Sequence, residues 1–332
     1  MNSYTFKSVF KDEFTDFLDV RKSQGFKDRN VYMWQRLDEY MSECCSSKSD
    51  INARFVEDWL AKYCARYASS TISYHIGAYN AFAEYLNRIG INATPYDNAL
   101  SSGGRRYVPY IFNQDEMARI IETADAGDAT GDSLSKIQMP MLIRLLYGCG
   151  ARLGEALSLH LDDIDLDSGI IQIRNGKGNK DRLVPLDDSL TSVLRLYCTA
   201  LFAAREENPF LFESNYKDSK RNCVGHRRNN SWAERNFLRI LKEAGIEQPA
   251  KSRNERGICI HCLRHTFIVD SYRKQDIHGD GNYRVMPLIS TYVGHKGLLE
   301  TQRYVHLTNE TASDIVGKTS AKYKGLFPEV PK

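Results

Sequence analysis

Long apolar runs are missing from this chain of 332 residues, and none approaches the roughly 20 apolar residues that a membrane span requires. The opening MNSYTFKSVFKDEF carries charges where a secretory leader needs an apolar stretch. A disulfide framework is also lacking. The eight cysteines (Cys44, Cys45, Cys64, Cys149, Cys198, Cys223, Cys259, Cys262) fall at irregular intervals, which in a chain this long predicts free thiols in a reducing compartment. There is no internal repeat and no low-complexity tract, and prolines number only 9. What remains, 42% hydrophobic and 26% charged, is a globular composition, long enough for two domains with cores that need no staples. The expectation is a cytoplasmic protein with no membrane partner.

An excess of one charge is missing as well: the net is only +3. Its distribution says more. Residues 101–108 carry a net +2, 174–182 +3, 217–228 +4 and 251–256 +2, which leaves the rest of the chain at −8. Four segregated basic runs on an otherwise acidic chain point to a polyanion-binding face. Arg105, Arg106, Arg174, Lys180, Arg221 and Arg228 are the candidates to reach phosphates.

Residues 6 to 92 read as helices only, around Phe10–Leu18, Val31–Cys44, Phe55–Tyr67 and Ile72–Leu86, the last with Ser70 as N-cap and Gly90 after its end. Residues 94–109 hold Pro, Asn, Ser and a Gly pair without apolar periodicity, as a linker does. Asn113 with Glu116 three residues on predicts a capped helix start. A further apolar helix (Met139–Tyr147), a break at Gly148 and Gly150 and a helix opening with ARLGEALSL come next. GIIQIRNGKGNKDRLVPL then reads as a β-hairpin. Helices follow at 188–205, 231–245, 261–273, 286–293 and 299–307. The fold class is mainly α with a small antiparallel β-sheet: an all-α N-terminal bundle and an α+β second domain.

HCLRHTF places His261, Arg264 and His265 on one helix face. Two histidines at that spacing suggest a metal clamp, but a zinc-protease helix needs Glu where Cys262 stands, and Cys259-x-x-Cys262 has no second pair. An oxyanion clamp is the rival reading. Arg152 follows the break GCGA and opens a helix, where unpaired N–H groups also favour an anion. Lys177 sits at the hairpin tip, His295 follows Gly294 in YVGHKG, and Tyr304 lies nine residues on in TQRY. Each has a plainer reading as a surface, turn or packing residue.

Taken in order, Arg152 (GARLGE), Lys177 (GKGNKDRLVPL), His261 and Arg264 (HCLRH), His295 (VGH) and Tyr304 (TQRY) resemble the signature of the tyrosine recombinase, or phage integrase, family. The resemblance covers nearly the whole chain. It implies a core-binding domain over 1–93, the linker 94–109, a catalytic domain over 110–317 and a tail, 318–332, that docks on a neighbouring protomer or folds back. It implies DNA cleavage by Tyr304 through a 3′-phosphotyrosine and a Holliday junction, with Arg152 and Arg264 on the phosphate. Lys177 would be the general acid, His261 would assist Tyr304, and His295 would bond a non-bridging oxygen. Glu155 would orient Arg152 or His261, unless it forms a plain ion pair, and His265 would only support. Neither metal nor cofactor is required. Double-stranded DNA and a homotetramer are the implied partners. Mobile-element integration or transposition is the expected role, with dimer resolution, simple topoisomerase action or a catalytically silent relative as alternatives. Trp232 reads as core. The segment SYRKQDIHGDGNYRVMPLIST is long for the family, and Tyr283 and Tyr292 within it are the competing nucleophiles.

Overall fold

A computed structural model describes residues 4–26, 31–64, 67, 69–96, 108–127, 133–174, 176, 181–202, 209–214, 226–247, 257–277, 282–295 and 297–305. The chain forms two compact units, Met1–Tyr107 and Val108–Lys332. Among the described residues no helix is long and apolar enough to cross a membrane.

The first unit holds α1 (Lys11–Ser23), α2 (Val31–Cys44), α3 (Ala53–Cys64) and α4 (Ser69–Arg88). Helix α4 starts one residue before the expected cap, so Ser70 lies in its first turn. The apolar stripes of the helices meet in an aromatic core, where Phe14 stacks on Phe82 at 4.0 Å between ring centroids. Fully buried Asp38 anchors the N-terminal strand of chain by accepting from the Lys7 and Ser8 amides at 2.8 and 2.9 Å. Residues 94–96, read from sequence as linker, are bonded to this bundle: Tyr79 donates to Thr94 O, and Asn80 exchanges bonds with Tyr96. Most of the rest of that linker, with Arg105 and Arg106, lies outside the described residues.

In the second unit α5 (Gln114–Ala126) starts on the expected capping box, Asn113 Oδ1 accepting from Glu116 N and Glu116 Oε2 from Asn113 N. Helix α6 (Ser133–Gly148) buries Met139, Met141, Leu142, Ile143, Leu145 and Leu146, a nearly continuous apolar run that suits a helix packed on several sides. It packs against α5, α8 (Asp188–Phe202), α9 (Asn230–Glu243) and α10 (His261–Ile277). Buried Trp232 on α9 donates its indole N–H to Ser135 on α6. The expected hairpin is β2 (Ile170–Ile173) with β3 (Arg182–Pro185), Ile171 facing Val184. Two pieces escaped the pattern reading because each strand has only two residues: β1 (Ile164–Asp165), which extends this sheet, and the ribbon β4 (Glu213–Ser214) with β5 (His226–Arg227).

Gly148 and Gly150 end α6 for steric reasons. A Cβ on Gly150, whose φ is +60°, would stand 2.4 Å from Phe267 Cδ1 on α10. The turn therefore lies flat against α10 and feeds Arg152 into the single-turn helix α7 (Leu153–Ala156). Gly150→Ala should lower stability by about 2–4 kcal/mol, combining left-handed strain with overpacking; thermal melting checks it.

Candidate active site

Helix α11 (Asn282–Tyr292) ends at Gly294 in the left-handed conformation, with φ +68°. Carbonyls at a helix C-terminus lack intrahelical partners and attract cations. Three arginines from three elements take three successive ones. Arg182 Nε, from β3, donates to Tyr292 O at 3.1 Å. Arg264 Nη2, from α10, donates to Val293 O at 2.8 Å. Arg152 Nη2, from the α6–α7 turn, donates to Gly294 O at 2.7 Å. Arg264 also donates to Gly150 O, so the turn that demanded a glycine is pinned by the same guanidinium.

Glu155 holds this array together. Its Oε1 accepts from Arg152 Nη1 at 2.9 Å and Arg182 Nη1 at 3.1 Å, and its Oε2 from Arg182 Nη2 at 2.8 Å and the Arg152 amide at 3.0 Å. Burial pushes the Glu155 carboxyl upward, but bonds and charge from Arg182 and bonds from Arg152 outweigh it and bring it from 4.5 to about 2. Because the folded value is depressed, the ionised carboxylate contributes stability that is complete above pH 4.5 and is lost as pH falls toward 2. Glu155→Gln should flatten the decline of the melting temperature across that window.

Arg264 is only 2% exposed. Burial, and then the like charge of Arg152, lower its guanidinium to about 10, which still leaves it charged at neutral pH. Two cations with such fixed forks are chemically suited to seat the oxygens of a phosphodiester. Helix α7 is a single turn, so the anion-binding helix start expected at Arg152 contributes little beside them.

The other side of the seat is built by α12 (Leu298–Val305), which carries Tyr304. The phenol is 8% exposed and lies between two imidazoles. His265 Nδ1 stands 2.6 Å from Tyr304 Oη, and the His295 ring is stacked parallel to the phenol at 6.1 Å. His295 Nδ1 is tied to buried Thr301 Oγ1 at 2.6 Å. His261 packs edge-on to His265, centroids 4.7 Å apart. The sequence reading gave His261 the role of assisting Tyr304 and His265 a supporting one; in the structure it is His265 whose ring nitrogen stands within hydrogen-bond distance of the phenol. The reason is helical phase, since α10 presents Arg264 to the carbonyls and the adjacent residue to α12. The competing Tyr292 is occupied: its hydroxyl donates to Pro185 O at 2.8 Å, and burial raises its pKa above the usual phenol range. The Tyr283 side chain lies outside the described residues.

Arg182 was counted from sequence only as part of a basic run. Strand alternation carries the missed signal. Arg182 and buried Val184 share the inner face while apolar Leu183, 63% exposed, points out. A charged residue on the inner face of a strand needs a counter-ion, and Glu155 provides it.

Lys177, Lys180 and Arg221 lie outside the described residues. Arg174 is ion-paired to buried Asp163 at 2.6 Å, and Arg228 bonds Gln138 at 2.9 Å beneath its cation–π contact with Trp232. Both are partly engaged by the protein itself. Among the described residues no group of three His, Cys, Asp or Glu side chains is placed to hold a metal ion. Cys259 Sγ and Cys262 Sγ lie 4.0 Å apart.

A tyrosine set against paired arginines, on helices around a small sheet, is the arrangement of one class of DNA-processing enzyme. The phage integrase family profile matches residues 111–311, and the chain belongs to this family of tyrosine recombinases, which cut and rejoin DNA at specific sites. A putative integrase/recombinase of Sinorhizobium fredii, y4rB, is 25% identical over 324 residues, covering 96% of this chain and 99% of that protein. The tyrosine recombinase XerD of Rhizobium meliloti is 29% identical over 253 residues, 75% of this chain and 74% of its own length. The fold is shared with XerH recombinase bound to a palindromic difH substrate (TM-score 0.64, 18% identity, 94% and 90% of the two chains). It is shared too with a lambda integrase tetramer bound to a Holliday junction (TM-score 0.63, 15% identity, 90% and 78%).

Proposed function

We propose that this protein is a site-specific DNA recombinase in which Tyr304 attacks a backbone phosphodiester. The observation that carries the reading is the bond between Tyr304 Oη and His265 Nδ1, beside the guanidinium of Arg264 and the array it shares with Arg152. His265 takes the phenolic proton, with His261 as the next group in line. Arg152, Arg264 and His295 bind the non-bridging oxygens, where charge gathers as the nucleophile approaches. The new bond joins Tyr304 Oη to the 3′ phosphate; the bond to the 5′ oxygen breaks, and Lys177 protonates the leaving alkoxide. The phosphotyrosine conserves the bond energy, so religation to a second 5′ hydroxyl needs no nucleoside triphosphate. The fixed cations supply the charge that a divalent metal supplies in other phosphoryl transfers, so a chelator should leave cleavage unchanged.

Repeated on paired duplexes by four protomers, these steps pass through a Holliday junction. The first unit and the basic runs with Arg105, Arg106, Arg174, Lys180, Arg221 and Arg228 hold the duplex mainly by its phosphates, with steep salt dependence. The role we assign is integration and excision of a mobile element. Its support is the end-to-end likeness to a protein named as an integrase/recombinase.

The test is capture of detergent-stable adducts on a randomised library of nicked duplexes, in which the short cleaved strand diffuses away. Recovery of one sequence class, followed by recombination of a two-site plasmid carrying it, is the expected result. Adducts that form while plasmids are only relaxed would replace the reading with a topoisomerase. Specific binding without any adduct would replace it with a silent relative.

A further inference from the structure

Arg182 touches neither the seat for the phosphate nor Tyr304 in any bond described above, yet it is the third member of the carbonyl array. Its side chain is 14% exposed and its guanidinium is committed to the protein on every branch: Nε to Tyr292 O, Nη1 to Glu155 Oε1, Nη2 to Glu155 Oε2. Its place is closely shaped. Gly294 has φ +68°, which favours glycine, and a Cβ there would stand 2.9 Å from Arg182 Nη1 and press on the guanidinium under that turn.

The consequence is electrostatic. Glu155 bonds Arg152 through both its carboxylate oxygens, and with Arg152 alone its negative charge would cancel the charge of the cation that is to meet the phosphate. Arg182 supplies the second positive charge, in a buried setting where such a charge is weakly screened. Glu155 can then orient Arg152 without neutralising it.

We infer that Arg182 is a positioning residue that offsets Glu155, keeps the Arg152 guanidinium electrostatically available to the scissile phosphate, and ties β3 to the turn that carries His295. The inference rests on the recombinase reading and adds to it a residue that acts through Arg152.

The experiment measures the single-turnover rate of adduct formation on the nicked duplex recovered from the library, for the native chain, Arg182→Gln, Glu155→Gln, the double variant and Arg182→Lys. Arg182→Gln should slow cleavage by about a hundredfold, as loss of one preorganised electrostatic group does. Removing Glu155 as well should restore at least about tenfold of that, because the two charges act as a unit. Arg182→Lys, which keeps the charge but loses the fork, should stay within about tenfold of native.

A double variant as slow as Arg182→Gln overturns the inference, since a merely structural arginine would not be rescued by losing its partner. Where Arg182→Gln does not fold, Arg182→Lys decides: a loss of a hundredfold or more, about what a preorganised donor contributes, overturns the charge-offset role. A native chain that forms no adduct overturns the recombinase reading and this inference together, whereas Tyr304-dependent adducts indifferent to Arg182 overturn this inference alone.

Discussion

Tyr304→Phe should abolish covalent capture of DNA while leaving the protein folded and bound to its site. The change removes one oxygen, and with it the bond to His265 Nδ1 at 2.6 Å; the ring keeps its place between His265 and His295. Loss of one such bond costs stability by about 1 kcal/mol, well inside the margin of a folded domain. The chemical loss is of another order. Removing the nucleophile of a preorganised site costs about 10⁵-fold or more in rate, so adducts should fall to background. Affinity for duplex DNA, which the proposed reading places mainly on phosphate contacts elsewhere, should hold within about threefold. Gel shift and detergent-stable adduct assays on the same duplex separate the two effects.

Arg264→Lys is the second change with a large effect, and it should damage both activity and fold. Arg264 is among the largest fully buried side chains, and its two terminal nitrogens satisfy Gly150 O and Val293 O. A lysine keeps the charge but has no planar fork, so at least one carbonyl loses its partner, and on the proposed reading the phosphate loses a fixed donor. The expected cost is about 2–4 kcal/mol in stability, the range for a broken buried hydrogen-bond network. The cleavage rate should fall by about 10³-fold, as with loss of a donor aimed at developing charge. Arg264→Lys thus differs in kind from Tyr304→Phe, which lowers the rate and spares the melting temperature. A shift in melting temperature no larger for Arg264→Lys than for Tyr304→Phe would contradict the role given to the carbonyl array.

The helices were legible in the sequence because their signals are local. Asn113 and Glu116 spell out a capping box, and α4 and α9 carry apolar stripes that need no tertiary context. The hairpin was legible in GIIQI and RLVP for the same reason, as two β-branched runs joined by a Gly-Lys-Gly-Asn turn. The two-residue strands β1, β4 and β5 were not, since a pair of residues has no periodicity to read. In the site, the residue types were legible but not their partners. HCLRH fixes which face of α10 is chemical. Whether His261 or His265 meets the tyrosine depends on where α12 docks, and that is set by packing of Val285, Ile289 and Val293 with Tyr304. Arg182 and Thr301 were missed because their partners, Glu155 and His295, lie far along the chain or on the next element.

The most direct measurement of the central claim is mass spectrometry of the trapped adduct after digestion of both protein and DNA. The expected product is a peptide containing Tyr304 that carries a nucleotide through its 3′ phosphate, with a free 5′ hydroxyl on the released strand. A nucleotide on Tyr283, Tyr292 or any other residue, or a linkage through a 5′ phosphate, would contradict the account.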